Sequence, residues 1–265
     1  MAFRTIGRAA VLGAVLLAMA PTTAVGQTVR QQPPGNSGDR VRSAPDREDN
    51  SPSVASRDKD RGTPTVDAKY DAGMAAIRAR NPGRAVELMR PVLADFEKKY
   101  AGEKRQIYCA VTPEQSSAYL AGAAKAKLEA VAIDAGWCRA QYVTGYALID
   151  LERLPEALTT FQRLVAYAPQ NSRYLNELGY ILMKQKKWKE SLDAYRRSEA
   201  SADLTPDRVK EERCLALKGI GYDLVELGDY NAAEAAYRKC LNINPEDTDS
   251  PRELEYIQEQ RKLTV

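Results

Sequence analysis

The chain repeats itself. Gly145 and Gly179 stand 34 residues apart, and so do Phe161 and Tyr195. A third copy places Gly221 and Tyr237 42 residues after Gly179 and Tyr195, so eight extra residues separate the second and third copies. A fixed period of this length belongs to stacked supersecondary units, because one such unit cannot bury its apolar face alone.

Within each copy the glycine precedes a tyrosine, as Gly145-Tyr146, Gly179-Tyr180 and Gly221-Tyr222, and a leucine follows at Leu148, Leu182 and Leu224. Ala157, Ser191 and Ala233 come next, then the aromatics Phe161, Tyr195 and Tyr237; Pro169 and Pro245 close two copies, and Asp203 holds that slot in the middle one. Small residues in one helix, an alanine and an aromatic in the next, let two helices approach closely while the ring fills the space beyond them. The pattern resembles the tetratricopeptide repeat. The resemblance covers roughly residues 66–245 and is strongest from Cys138 to Pro245. It implies an all-α fold, a right-handed α-solenoid of antiparallel helix pairs.

The expected organisation has further parts. Residues 1–26 read as a secretory leader: Arg4 and Arg8 precede an apolar run from Ala9 to Ala20, with Ala24 and Gly26 before a cut ahead of Gln27. That run is too short for a membrane span of roughly 20 apolar residues, and no cysteine near the cut offers a lipid acceptor. The expectation is an exported, periplasmic or secreted chain without stable membrane insertion after cleavage.

Residues 27–65 carry no aromatic side chain and mix seven basic with six acidic residues, the composition of a disordered polyampholyte linker, either a spacer or a docking peptide. The solenoid then occupies 66–265. A degenerate repeat spans 66–100, with Gly73 in the small slot and Ala85 and Met89 in the second-helix slots. An irregular unit spans 101–137, read as a loop through Gln106 to Val111 and an alanine-rich helix from the capping box Thr112-Pro113-Glu114-Gln115 to about Asp134. Clear repeats follow at 138–171, 172–213 with the insertion, and 214–247. The insertion holds Thr205-Pro206-Asp207, a helix-start pattern, and predicts a lengthened first helix in the third repeat. A capping helix opens at Ser250-Pro251-Arg252-Glu253 and runs over 250–263.

All four cysteines survive leader cleavage, and an even count in an oxidising compartment favours disulfides. Cys214 opens a first helix and Cys240 lies near the end of its antiparallel partner, while Cys109 precedes the helix that leads to Cys138. Cys109–Cys138 with Cys214–Cys240 is the preferred pairing; packed free thiols are the alternative. No spacing suggests a metal site or a redox pair.

The chain has no histidine, which removes the usual general base and the commonest zinc ligand. Most of its 36 acids read as solvated helix faces beside Lys or Arg, its glycines recur at the packing period rather than in a phosphate loop, and no cofactor is expected. No catalytic residue is assigned, and a carboxylate-based enzyme finds no paired-acid setting. With 39 basic residues against 36 acidic, and two of the basic ones in the leader, bulk charge gives no drive toward nucleic acid.

The resemblance implies instead that the first helix of each pair lines a concave groove for an extended peptide or a partner's helix. In those positions the sequence offers Tyr146, Tyr180 and Tyr222 as a stripe, with Tyr142, Asn176 and Lys218 one turn earlier. Arg139 and Arg173 begin two of the helices, and Asp150, Lys184 and Glu226 lie a turn beyond the tyrosines. Tyrosine combines contact area with a polar tip at little rotamer cost, so the groove reading is a scaffold binding a segment of another envelope protein. The competing reading is self-association into a homo-oligomer through the end repeats or the 101–137 unit.

Overall fold

The computed structural model describes residues 65–204 and 208–263. The expected leader, nearly all of the linker and the Thr205-Pro206-Asp207 helix start lie outside them. Among the described residues ten α-helices and one short sheet follow in chain order. The helices are α1 (Val66–Arg78), α2 (Pro82–Tyr100), α3 (Pro113–Lys125), α4 (Gly136–Asp150), α5 (Leu154–Tyr167), α6 (Ser172–Lys184), α7 (Trp188–Ser201), α8 (Val209–Glu226), α9 (Tyr230–Ile243) and α10 (Ser250–Leu263). Strands β1 (Gln106–Ala110) and β2 (Ala130–Asp134) flank α3. No helix among the described residues is long and apolar enough to cross a membrane.

Side-chain oxygens start several helices by accepting otherwise orphaned backbone N–H groups: Thr65 from Ala68, Asn81 from Arg84, Thr112 from Gln115, Asn171 from Tyr174 and Asp229 from Ala232. The turn inside each pair also repeats. Arg80, Glu152, Lys186 and Gly228 occupy one repeat slot, and all four have positive φ, from 55° to 85°. There the chain leaves one helix through a left-handed residue whose successor donates back to the preceding turn, as Arg153 does to Leu148 and Asp229 to Leu224.

The pairs α1/α2, α4/α5, α6/α7 and α8/α9 stack so that each second helix touches the first helix of the next pair, and α10 closes the end. This is an all-α solenoid. The glycine slots do what the pattern requires: a Cβ on Gly145 would lie 2.6 Å from Phe161, on Gly179 2.8 Å from Tyr195, and on Gly221 2.6 Å from Tyr237. Tyr195 is gripped from both sides, since Gly219 of the following repeat would also place a Cβ 2.5 Å from it. In the degenerate repeat, Met89 replaces the ring and a Cβ on Gly73 would come within 3.0 Å of it. Ser191, in the alanine slot, donates its hydroxyl to the Gly179 carbonyl at 2.9 Å.

The eight extra residues go partly into length. α8 has 18 residues where α6 has 13, and a 3-10 turn at Ala202–Leu204 precedes it.

Residues 101–137 differ from the expectation. The supposed loop at 106–110 is a strand with alternating burial, the helix ends at Lys125, and the apolar run Ala130–Asp134 is a second strand, parallel to the first. Parallel pairing demands a crossover, and α3 supplies it. The β1-α3-β2 unit does not take a place in the stack. α4 packs directly on α1 and α2, so the unit is an excursion from the junction between two pairs. Cys109 of β1 is bonded to Cys138 of α4, with Cα atoms 6.1 Å apart, and fixes the excursion to the solenoid. Buried Gln115 adds a second tie, accepting from Val111 N–H at 2.9 Å and donating to the Leu204 carbonyl at 3.0 Å. The other bridge joins Cys214 to Cys240 within the last pair, at a Cα separation of 4.7 Å.

Candidate functional site

The first helices α1, α4, α6 and α8 carry the residues that the sequence points to. Their opening residues serve neighbouring elements. Arg139 Nη1 lies 3.4 Å from Asp67 on α1, and its guanidinium sits over the Tyr70 ring at 5.6 Å. One repeat later Arg173 lies over the Tyr142 ring at 5.8 Å, with Nε 3.5 Å from Glu212 on α8. Tyr70 and Tyr142 occupy the same repeat slot, so cation and ring form a ladder along the stack.

Asn176 is fully buried and donates Nδ2 to the Glu212 carboxylate at 2.8 Å and to its carbonyl at 3.1 Å. Arg208 also faces that carboxylate, at 3.8 Å. Lys218 donates to Asp247 at 3.0 Å and Asp249 at 3.1 Å, pinning α8 to the loop before α10. Burial alone would raise the Asp247 carboxyl, but hydrogen bonds from Ser250 and Lys218 outweigh it and hold it below the usual range.

The tyrosines divide. Tyr142 is packed among Tyr146, Phe161 and Tyr174, with ring centroids 5.5 to 6.1 Å away, and burial pushes its phenol well above the ordinary value, helped by the charge of Glu177. Tyr146 and Tyr180 are 4% and 5% exposed, and Lys184 lies 5.8 Å over the Tyr180 ring. Tyr222 is half-buried against Trp188, its phenol pushed up to about 12 by burial. Tyr142 and Asn176 therefore pack the junctions between pairs rather than standing open on the face.

The acids need correction too. Glu177, Glu212 and Asp223 are fully buried, not solvated. Asp223, on α8, has its carboxyl raised to about 8, chiefly by burial and further by the charge of Glu226. Pattern reading assigns charges to solvent, and no local pattern marks these three as buried.

Where the turn between α1 and α2 meets α4 there is a cleft of about 510 Å³. Ile77 and Tyr146 line it with Pro82, and Arg78, Arg80 and Asp150 bring charge to it. Of these only Tyr146 and Asp150 stood out in the sequence. Arg80 was findable, since it fills the turn slot of Glu152 and Lys186. The arrangement offers apolar contact with charge of both signs, which suits holding a chain rather than bond-breaking. Cys214, Cys240 and Asp247 also lie within metal-ligand reach of one another, but the two sulfurs are bonded together and leave no thiolate to offer.

A family model described as a tetratricopeptide repeat matches residues 142–206, and a second of the same description matches 220–247. Residues 142–206 and 220–247 are tetratricopeptide repeats. The matched residues take in α5, α6, α7 and α9 with most of α4. No curated protein matches the chain. Among solved structures, Pseudomonas aeruginosa PilF is similar at 15% identity and a TM-score of 0.52, covering 74% of this chain and 69% of that one. A MamA RS-1 double mutant is similar at 15% identity and a TM-score of 0.49, covering 74% and 84%. The likeness to PilF is one of fold. The tetratricopeptide-repeat region thus sits as α4 to α9 between a degenerate first pair with its excursion and a closing helix.

Proposed function

We propose that this chain is a non-catalytic scaffold of the cell envelope that holds an extended segment or helix of another envelope protein against the face formed by α1, α4, α6 and α8. The observation that carries the reading is the cleft of about 510 Å³ at α1 and α4, which Ile77, Pro82 and Tyr146 line together with Arg78, Arg80 and Asp150. Amphipathic floors edged by mixed charge suit a peptide backbone flanked by polar side chains. Export is supported by the leader pattern of residues 1–26 and by two disulfides, which persist in oxidising compartments.

The test is affinity capture from envelope extract with the chain from Gln27 as bait, beside an Arg80→Glu/Lys184→Glu variant of unchanged melting temperature. A protein held by the first and lost by the second supports the reading. Equal recovery by both, or nothing beyond the bait, contradicts it.

A further inference from the structure

We propose that β2 is a self-pairing edge, which joins the β2 of a second copy of this chain in antiparallel fashion about a two-fold axis at Ala132. Gln106 N–H donates to the Glu129 carbonyl at 2.8 Å, and Gln106 stands opposite Ala130 in the parallel register. In such a ladder Glu129, Val131 and Ile133 turn their backbone groups to β1, and Ala130 and Ala132 turn theirs outward. Among the described residues nothing pairs with that outer side, and the sheet has two strands only.

Open edges are usually blunted with charge, proline or a bulge. β2 has one charge, Asp134 at its last position, and Ala130-Val131-Ala132-Ile133 ahead of it has no charge, proline or bulge. Leu128, just before the strand, is 54% exposed and extends the apolar edge. A two-stranded ribbon is marginal by itself, and a four-stranded sheet in the order β1-β2-β2-β1 gives both copies a better one.

The second copy is the occupant because the strand complements itself. With Ala132 opposite Ala132, Ala130 faces Asp134 of the second copy and both can exchange backbone hydrogen bonds. Each Asp134 then comes to the start of the opposing strand, which Glu129 precedes and, further back, Lys127 of the turn and Lys125 at the end of α3. The chain's own approach to α1 is a poorer occupant. It reaches Val66 beside Gly136, just past the end of β2, but the residues ahead of it read Arg57-Asp58-Lys59-Asp60-Arg61 and then Pro64. The interface lies on the excursion, away from the first-helix cleft, and so stands apart from the scaffold reading.

The experiment is sedimentation equilibrium of the chain from Gln27 over a dilution series, with amide exchange of Ala130 and Ala132 followed at each concentration. A dimer is expected whose two amides become protected as it forms, while Ala132→Pro stays monomeric. Proline there removes an outward donor and leaves the β1–β2 ladder intact. A monomer throughout, a dimer with both amides exchanging freely, or a folded Ala132→Pro that still dimerises would overturn the proposal. Protection already complete in the monomer would give the edge to the chain's own segment and overturn it equally. If Ala132→Pro does not fold, the exchange data on the unaltered chain decide.

Discussion

Gly145 and Phe161 are in contact without slack: a Cβ on the glycine would meet Phe161 Cε2 at 2.6 Å. The second helix of the pair can approach the first only because this position lacks a side chain. Gly145→Ala is expected to lower stability by about 1–3 kcal/mol through overpacking. Combined with Phe161→Leu, it should cost less than the sum of the two single changes, because the shorter side chain makes room. Denaturant unfolding of the four proteins measures this, and strict additivity would show that the contact is not the cause.

Glu212 collects Arg173, Arg208 and Asn176 at the junction of α6 and α8. Removing one partner of a buried charge cluster leaves the others uncompensated, so Glu212→Ala should cost about 3 kcal/mol. Glu212→Gln, which keeps an acceptor for Asn176, should cost less. Equal losses in a thermal melt would show that packing volume matters here rather than pairing.

Asp223 predicts a pH dependence. Its carboxyl in the folded chain titrates at about 8, against 3.8 for an ordinary aspartate, chiefly because it is buried. Between those values the folded state binds a proton that the unfolded state has released. Stability from this group is therefore complete below about pH 4 and is lost as pH rises toward 8, at up to ~1.4 kcal/mol per unit. Asp223→Asn should flatten that slope. A variant with an unchanged slope in unfolding measurements from pH 5 to 8 would assign the dependence elsewhere.

The Cys109–Cys138 bridge holds the excursion, whereas α4 packs on α1 and α2 without it. Cys109→Ser/Cys138→Ser should loosen β1, α3 and β2 and leave the pairs stacked. Hydrogen exchange is expected to accelerate over 106–134 with little change in α6 and α7; uniform acceleration would mean that the bridge supports the whole solenoid.

The solenoid was legible because its physics is periodic: glycine and aromatic must recur at one spacing wherever two helices cross closely. The cysteine pairing followed from the same placement, since Cys214 and Cys240 fall at adjacent ends of antiparallel helices. β2 was not legible. Ala130-Val131-Ala132-Ile133 continues an alanine-rich helical stretch, and its partner Gln106–Ala110 lies beyond an intervening helix, so no local pattern reveals the pairing. Nor were the buried acids, since a carboxylate's burial depends on partners such as Arg173, supplied by a neighbouring repeat. For the face itself the sequence placed Tyr142 and Asn176 among groove residues, where the structure buries both. The stacking of the next pair, through Tyr174 and Glu212, covers them.

The central claim is that the first-helix face holds another chain. Its most direct test is photo-crosslinking in living cells, with the reactive residue placed at Arg80 or Lys184 on that face and at Lys98 or Arg196 on the second helices. The account predicts one discrete adduct with another envelope protein from positions 80 and 184, and none from 98 and 196. Adducts from the second-helix positions alone, or none from position 80 and position 184, would contradict it.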